Sequence, residues 1–404
     1  MPRLTTVADH TAAVLGLVPG ALPGQRVPLP SALGTVLAEP LVSTADLPGF
    51  DNSAMDGYAV KAVDLSDTPI TLPVSADIPA APQTGEQRPL VPGTAARIMT
   101  GAPIPPGADA VIKVEWTDGG TDAVTMYQPV EAGVNVRHRG EDVRAGVELL
   151  SAGTVMGPAQ LSAAAAFGHG ELLVHRRPRV CVISTGSELV EPGQPTSLPL
   201  GAIFDSNSFA LQALASRADA DAIRVVAVGD DDPAHARRVL DRAAETSDLI
   251  VTTGGVSAGA YEVMKDVLAS EPTVQFLPVA MQPGRPQGLG TYAGVPILTF
   301  PGNPVSAFVS FKLFAEPLIR KLAGWTRPTP LWKRATLAER VMPRESLHTF
   351  PRAHLNAATN RVSLIGGPGS HLMAALARAN CLISVPPGEE LLHAEAEVQI
   401  LTYG

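Results

Sequence analysis

From Pro178 to Gly324 the chain alternates between short β-branched runs and longer amphipathic ones, a pattern that few folds can absorb. RVCVIS, AIRVVAV, DLIVTT and VPILTF read as strands; FALQALASRA, PAHARRVLDRAAE, YEVMKDVLAS and PVSAFVSFKLFAEPLIRKLAG read as helices. Parallel strands need long crossover connections, usually helical, so the alternation predicts a mostly parallel sheet covered by helices. Such sheets take their ligands at the carboxyl ends of the strands.

Three loops there are unusual. STGSEL runs from Ser184 to Leu189, TTGGVSAG from Thr252 to Gly259, and FPGNPVSA from Phe300 to Ala307, with Pro304 and Ser306 in the first turn of a helix. Glycine lets backbone approach a ligand closely, and free N–H groups at a helix start favour an anion. One Gly-Gly turn is an ordinary strand-to-helix turn; three in one domain point to a phosphate-bearing ligand. No GK[ST] follows and GxGxxG is absent, which argues against nucleoside triphosphate hydrolysis by the usual route.

Carboxylates gather in the same loops: Glu188, Asp205 in IFDSN, Asp230 to Asp232, and Glu262. Asp232, just before Pro233, is expected to cap a helix. Asp205 and Glu262 lack so clear a capping signal and are candidates to hold Mg²⁺ beside a phosphate. MQPGRPQG supplies Arg285, a planar donor suited to oxyanions. Arg352, and Ser370 opening a helix in GPGSHLM, are further oxyanion candidates, although each alone is more commonly a surface residue.

The 404 residues suggest two to four domains at roughly 150 residues each. From about Val27 to Arg177 the apolar runs are short and Pro and Gly frequent, which reads as β-rich with one helix, PAQLSAAAAF. After TRPTP short strands return as a small β-domain with one short helix. Thr5 or Thr6 is placed to cap an N-terminal helix ending near Pro19-Gly20. The β-rich region holds three clusters: FDNSAMDGYAV, RIMTGAPIPPGADAVIKVE and NVRHRGEDV. In the first, the glycine falls one position late for a calcium loop and no acidic residue closes it, so an EF-hand is rejected. The third packs Arg137, His138 and Arg139 against Glu141 and Asp142, a pattern more often a solvated ion-pair face.

A formal net charge of −9 argues against a general nucleic-acid binder. No apolar run approaches the length needed to span a membrane, and the N-terminus lacks a signal-peptide core, so a cytoplasmic protein is expected. The two cysteines, Cys181 and Cys381, sit in apolar runs and are expected to be buried thiols. HExxH and GxSxG are both absent, which removes the zinc-hydrolase and α/β-hydrolase readings.

Taken together, FDNSAMDGYA, RIMTGAPIPPGAD, RGEDV, STGSEL, TTGGVSAG and FPGNPVSA, in this order and spacing, closely resemble the MoeA family of molybdopterin molybdenumtransferases, related to the E domain of gephyrin. The resemblance spans essentially the whole chain. It implies a multidomain α/β plus β fold: an N-terminal helix (1–26) joining the α/β domain, an elongated linker domain (27–45 and 147–177), an inserted β-rich domain (46–146), a central molybdopterin-binding α/β domain with a mostly parallel sheet (178–326), and a C-terminal β-barrel-like domain (327–404). It also implies a homodimer whose cleft combines the inserted domain of one subunit with the α/β domain of the other.

The implied enzyme works in molybdenum cofactor biosynthesis. It takes adenylylated molybdopterin and molybdate as substrates, with Mg²⁺, and yields molybdenum cofactor and AMP. By resemblance Asp56, Thr100, Asp142, Glu188 and Glu262 are the catalytic candidates. Ser184, Thr185, Gly186, Asp205, Thr253, Gly254, Gly255, Ser257, Pro301, Gly302 and Asn303 would bind the cofactor precursor. Arg285, Ser306, Arg352 and Ser370 would bind molybdate, and Glu188, Asp205 and Glu262 the metal. A molybdopterin adenylyltransferase and maturation proteins of molybdenum enzymes are the implied partners. The family commonly has KPGKP where this chain reads QPGRP, Gln282 to Pro286, so Gln282 removes a positive charge while Arg285 keeps one. It also often has Asp at the place of Glu262. The alternatives are a non-catalytic molybdopterin-binding paralogue or scaffold, or a molybdopterin adenylyltransferase.

Overall fold

The computed structural model describes residues 4–82, 86–193, 197–228, 232–255 and 263–403. The chain divides into two compact units: one of residues 1–39, 152–157 and 171–404, the other of residues 40–151 and 158–170.

The first unit is built on a six-stranded sheet in the order Asp221–Val228, Arg179–Thr185, Leu249–Thr253, Val295–Phe300, Pro286–Tyr292, Gln275–Pro278. Its first four strands are parallel, as the alternation predicts, and the last two are added by antiparallel pairings. Successive residues of the strand from Arg179 explain why its middle, Val180 to Ile183, is apolar throughout. Val180 and Val182 join a core with Leu211, Val305 and Phe314, whereas Cys181 and Ile183 join another with Ala236, Leu240 and Met264. A sheet covered on both faces needs both side-chain sets apolar. The thiols of Cys181 and Cys381 are buried, which pushes each up to about 11.

The two antiparallel strands were not anticipated. PQGLGTY carries Gly288 and Gly290, and both glycines lie inside the strand Pro286–Tyr292. A Cβ at Gly288 would collide with the Thr299 hydroxyl on the neighbouring strand, so close approach, not chain reversal, selects glycine there.

The long helix after Asn303 is continuous but not uniform: Pro304–Ser310 and Glu316–Leu322 are α-helical, joined by a π-helical turn, Phe311–Ala315. Pro317 lacks the N–H that a regular α-helix would use, and the wider turn falls where that bond is missing. The N-terminal helix Val7–Gly16 is capped by Thr6, whose hydroxyl accepts from Asp9 N at 3.1 Å. His10 on this helix stands edge-on to Phe314, centroid to centroid 4.5 Å. The C-terminal strands Lys333–Leu337, Arg361–Leu364, Arg352–Asn356, Cys381–Ser384 and Glu397–Thr402 close into a barrel.

The second unit carries a five-stranded sheet, ordered Ala110–Lys113, Gly57–Val60, Ala95–Ile98, Ile70–Ile78, Ala123–Met126. Gly57 is forced by geometry, since a Cβ there would run into the Ile112 carbonyl on the adjacent strand. The helix Pro158–Ala166 begins on proline, and Gly168 follows its end at φ +78°.

Candidate functional site

At the carboxyl ends of the parallel strands lies a cavity of about 1080 Å³. The three glycine loops form one of its walls, and they are tied to one another. Thr185 Oγ1 donates to the Thr253 carbonyl at 3.4 Å, and Gly254 N donates to the Phe300 carbonyl at 3.1 Å. Asn207, the first residue of the helix Asn207–Arg217, spans the second and third loops: its Nδ2 donates to Thr253 Oγ1 at 2.9 Å and to the Gly302 carbonyl at 2.7 Å. Gly254 holds φ +93°, and a Cβ on it would strike the Thr185 carbonyl. That approach explains the glycine at the junction of the first two loops. Asn207 was missed in the sequence; its position two residues after Asp205, at a helix start beside the loops, was the available signal.

Of the expected precursor-binding residues, Ser184, Thr185, Gly186, Asp205, Thr253, Gly254, Gly255, Pro301, Gly302 and Asn303 all line this cavity. Ser257 and Glu262 lie outside the described residues. Glu188, Arg285, Ser306 and Ser370 face the same space, as do Arg344 and His371, which the sequence did not single out. Among the described residues neither Arg285 nor Arg344 has an ion-pair partner, so both guanidiniums are available to an anion.

Two expectations need correction. Asp205 was withheld from a capping role, but it has one. Its Oδ1 accepts from Ser208 N at 3.1 Å, and its Oδ2 accepts from Ser184 Oγ at 2.7 Å and Ser208 Oγ at 2.5 Å. With 1% of its surface exposed and both oxygens engaged, this carboxylate fixes the helix start and the first loop and does not fit a metal ligand. Arg352 was expected at the oxyanion, but its guanidinium grips the neighbouring loop. Nη1 donates to the Gly369 carbonyl at 2.9 Å and Nη2 to that of Gly367. It is 5% exposed, and burial lowers its affinity for a proton. The loop it holds is the one carrying Ser370, whose carbonyl accepts from Val305 N at 3.0 Å. Ser370 itself precedes the helix Met373–Arg378 and does not open it.

Mg²⁺ finds a narrow donor set. No group of three or more His, Cys, Asp or Glu side chains is placed to hold a metal among the described residues. The Glu188 carboxylate is exposed at the cavity and, among the described residues, has no hydrogen-bond or ion-pair partner. One carboxylate fits a Mg²⁺ whose other ligands are phosphate oxygens and water, the usual arrangement for this ion.

The remaining expected residues belong to the second unit. Asp56 is exposed, and its Oδ1 accepts from Thr100 N at 2.7 Å and from Thr100 Oγ1 at 2.9 Å. These two donors hold the Asp56 carboxyl below the usual carboxylate range. Asp142 is exposed in a loop organised by other carboxylates: Asp51 accepts from Arg139 N at 2.7 Å, and Asp46 accepts from Ala145 N at 2.9 Å and Arg139 Nε at 2.5 Å. The charged cluster is therefore more than a solvated face, since Glu141 accepts from His138 N at 2.7 Å and the neighbouring Asp46 and Asp51 bind further backbone N–H groups, setting the loop's path.

Sheet, barrel and cradle define a multidomain α/β and β protein with a glycine-rich cavity at the carboxyl ends of a mostly parallel sheet. Residues 5–168 match the MoeA N-terminal region (domain I and II), 181–321 a probable molybdopterin binding domain, and 334–403 the MoeA C-terminal region (domain IV). The chain belongs to the MoeA family. It is 45% identical to molybdopterin molybdenumtransferase 2 of Mycobacterium tuberculosis H37Rv, covering 98% of both chains, and 37% identical to molybdopterin molybdenumtransferase 1 of the same strain, covering 90% of this chain and 91% of that one. The molybdopterin biosynthesis moeA protein of Pyrococcus horikoshii OT3 superposes with a TM-score of 0.85 at 28% identity, over 99% of this chain and all of that one. Among the described residues no helix is long and apolar enough to cross a membrane.

Proposed function

We infer that this protein is a molybdopterin molybdenumtransferase that inserts molybdenum from molybdate into molybdopterin. The observation that carries this reading is the interlocked set of three glycine loops, with Arg285, unpaired among the described residues, lining the same cavity. Backbone N–H groups of the glycine loops suit the phosphates of adenylylated molybdopterin, while the hydroxyls of Thr185 and Thr253 tie the loops together. Arg285, with Ser306 and Ser370, suits the tetrahedral oxyanion. Glu188 would hold Mg²⁺, which supplies charge neutralisation at the phosphate where the AMP linkage breaks. Asp205 and Arg352 act as positioning residues, the first for the cradle and the second for the Ser370 loop.

Asp56, hydrogen-bonded to Thr100, and Asp142 are proposed to act in the reaction as an ionised base or water-positioning groups. A homodimer, a cytoplasmic location, the four-part division with boundaries near 27, 46, 147, 178 and 327, and supply of substrate by a molybdopterin adenylyltransferase belong to the same proposal, as does delivery of cofactor to maturation proteins.

The test supplies adenylylated molybdopterin, Mg²⁺ and molybdate to the purified protein and follows AMP release and active cofactor together. Both products are expected. Binding of the precursor without either product would replace the transferase by a non-catalytic pterin-binding protein.

A further inference from the structure

The cavity wall beyond the glycine loops differs in chemistry from the loops themselves. Leu189–Val190 and Ile203–Phe204 pair as a short parallel ribbon at the cavity, with Leu189 opposite Ile203 and Val190 opposite Phe204. Leu189, Ile203 and Phe204 line the cavity, and Ile203 and Phe204 are 53% and 41% exposed. Met281, Leu347 and several prolines also line the cavity, but of its large apolar side chains only Ile203 and Phe204 are broadly exposed. Water gains nothing from this apolar strip, whereas a flat ring would.

The ribbon is held firmly. Ile203 N donates to the Glu188 carbonyl at 2.9 Å, and Asp205 N donates to the Val190 carbonyl at 2.9 Å. Directly after Phe204 comes the buried Asp205 carboxylate, locked by Ser184 and Ser208. The contrast with Phe209, five residues on, is informative. The ring of Phe209 is covered by the Arg224 guanidinium at 3.8 Å, and Arg224 in turn is paired with Glu191. Phe204 has no ring or cation partner among the described residues. One of two neighbouring exposed phenylalanines is thus already occupied, and the free one is at the cavity.

We propose that Leu189, Ile203 and Phe204 form the binding platform for a planar heteroaromatic ring of the substrate, beside the phosphate cradle and next to Glu188. The inference deepens the molybdopterin molybdenumtransferase reading and rests on it. That substrate carries two such rings, a pterin and an adenine, with the same stacking chemistry. Ring stacking on an aromatic side chain is worth about 1–3 kcal/mol, roughly a five- to 150-fold effect on affinity. No bond is made or broken at the platform, so its residues are binding residues and not catalytic ones.

The experiment uses the full chain and three probes: AMP, molybdopterin and inorganic pyrophosphate, each titrated by calorimetry against wild type, Phe204→Ala, Phe204→Trp and Ile203→Ser. Expected is a loss of about tenfold for one ring-bearing probe with Phe204→Ala, a smaller loss with Ile203→Ser, recovery with Phe204→Trp, and unchanged pyrophosphate affinity. Loss for AMP alone assigns the adenine, and loss for molybdopterin alone the pterin. Unchanged binding of both rings, or equal loss of pyrophosphate, overturns the platform. If Phe204→Ala fails to fold, Phe204→Leu with the same probes gives the same decision. Turnover separates this failure from a wider one: an active wild type with an unmoved KM in Phe204→Ala contradicts the platform alone, whereas an inactive wild type contradicts the transferase reading.

Discussion

Asp56 and Thr100 are joined twice, the Thr100 backbone N–H at 2.7 Å and its hydroxyl at 2.9 Å both donating to the same Asp56 oxygen. The pair links the FDNSAMDGYAV and RIMTGAP segments, which lie 44 positions apart in the chain. It fixes one carboxylate oxygen and leaves the other facing solvent. The carboxyl is held below its ordinary range, so Asp56 is ionised at neutral pH.

Asp56→Asn keeps the shape and loses the charge. It should leave the thermal midpoint within a degree or so and lower kcat by about a hundredfold, the scale of a positioned base. Thr100→Val removes the hydroxyl but keeps the backbone donor, so the Asp56 titration should move up toward the ordinary carboxylate range. NMR titration of the Asp56 carboxyl, with a pH–rate profile whose acid limb moves the same way, checks the coupling. An unchanged acid limb in Thr100→Val would detach Asp56 from the rate.

Gly254→Ala tests the cradle. The added Cβ meets the Thr185 carbonyl, and the residue must also hold φ +93°. A loss of about 2–4 kcal/mol in stability is expected, with loss of pyrophosphate binding. Gly302→Ala differs: its Cβ would sit 3.4 Å from Gly254 Cα, ordinary contact distance. That variant should fold normally while narrowing the phosphate site. Chemical denaturation and calorimetric titration of both variants separate strain from binding.

Arg352→Ala removes donors to the Gly367 and Gly369 carbonyls and should lower stability by about 3 kcal/mol. Molybdate dependence should weaken with it, because the Ser370 loop loses its anchor. Arg285→Ala should instead weaken molybdate dependence with the thermal midpoint unchanged. If Arg352→Ala melted like the wild type yet lost molybdate dependence, its guanidinium would be a direct oxyanion ligand.

His10 is 1% exposed and neither ring nitrogen has a hydrogen-bond partner. Burial depresses it to about 4 from an ordinary 6.5. Because its folded value lies below its unfolded one, the unfolded chain takes up a proton first as pH falls. The penalty is absent above pH 6.5, grows as pH falls toward 4 and then levels, reaching about 3 kcal/mol at the full shift. His10→Leu should flatten that acid limb without harm at pH 7. Midpoints of urea unfolding across this range measure it.

How much of this was legible in the sequence depends on what set each feature. The four parallel strands and three loops were readable because burial on both faces and close ligand approach leave local signatures, Val/Ile runs and glycines. Gly288 carries no decisive local signal, because the same residue serves turns and close strand contacts, and only the facing Thr299 distinguishes them. Asp205 and Arg352 misled for a related reason. A carboxylate or a guanidinium looks alike in sequence whether it faces a ligand or its own backbone, and the partners that decide, Ser184 and Gly369, lie 21 and 17 positions away. Asn207 escaped because a bridge from a helix start to two loops has no local pattern.

The most direct measurement of the central claim is the stoichiometry of AMP released to molybdenum incorporated, followed against molybdate concentration with adenylylated molybdopterin and Mg²⁺. The account predicts equal amounts, both saturating with molybdate, and a rightward shift of both curves in Arg285→Ala. AMP release that continues unchanged without molybdate, with no metal in the product, would contradict it.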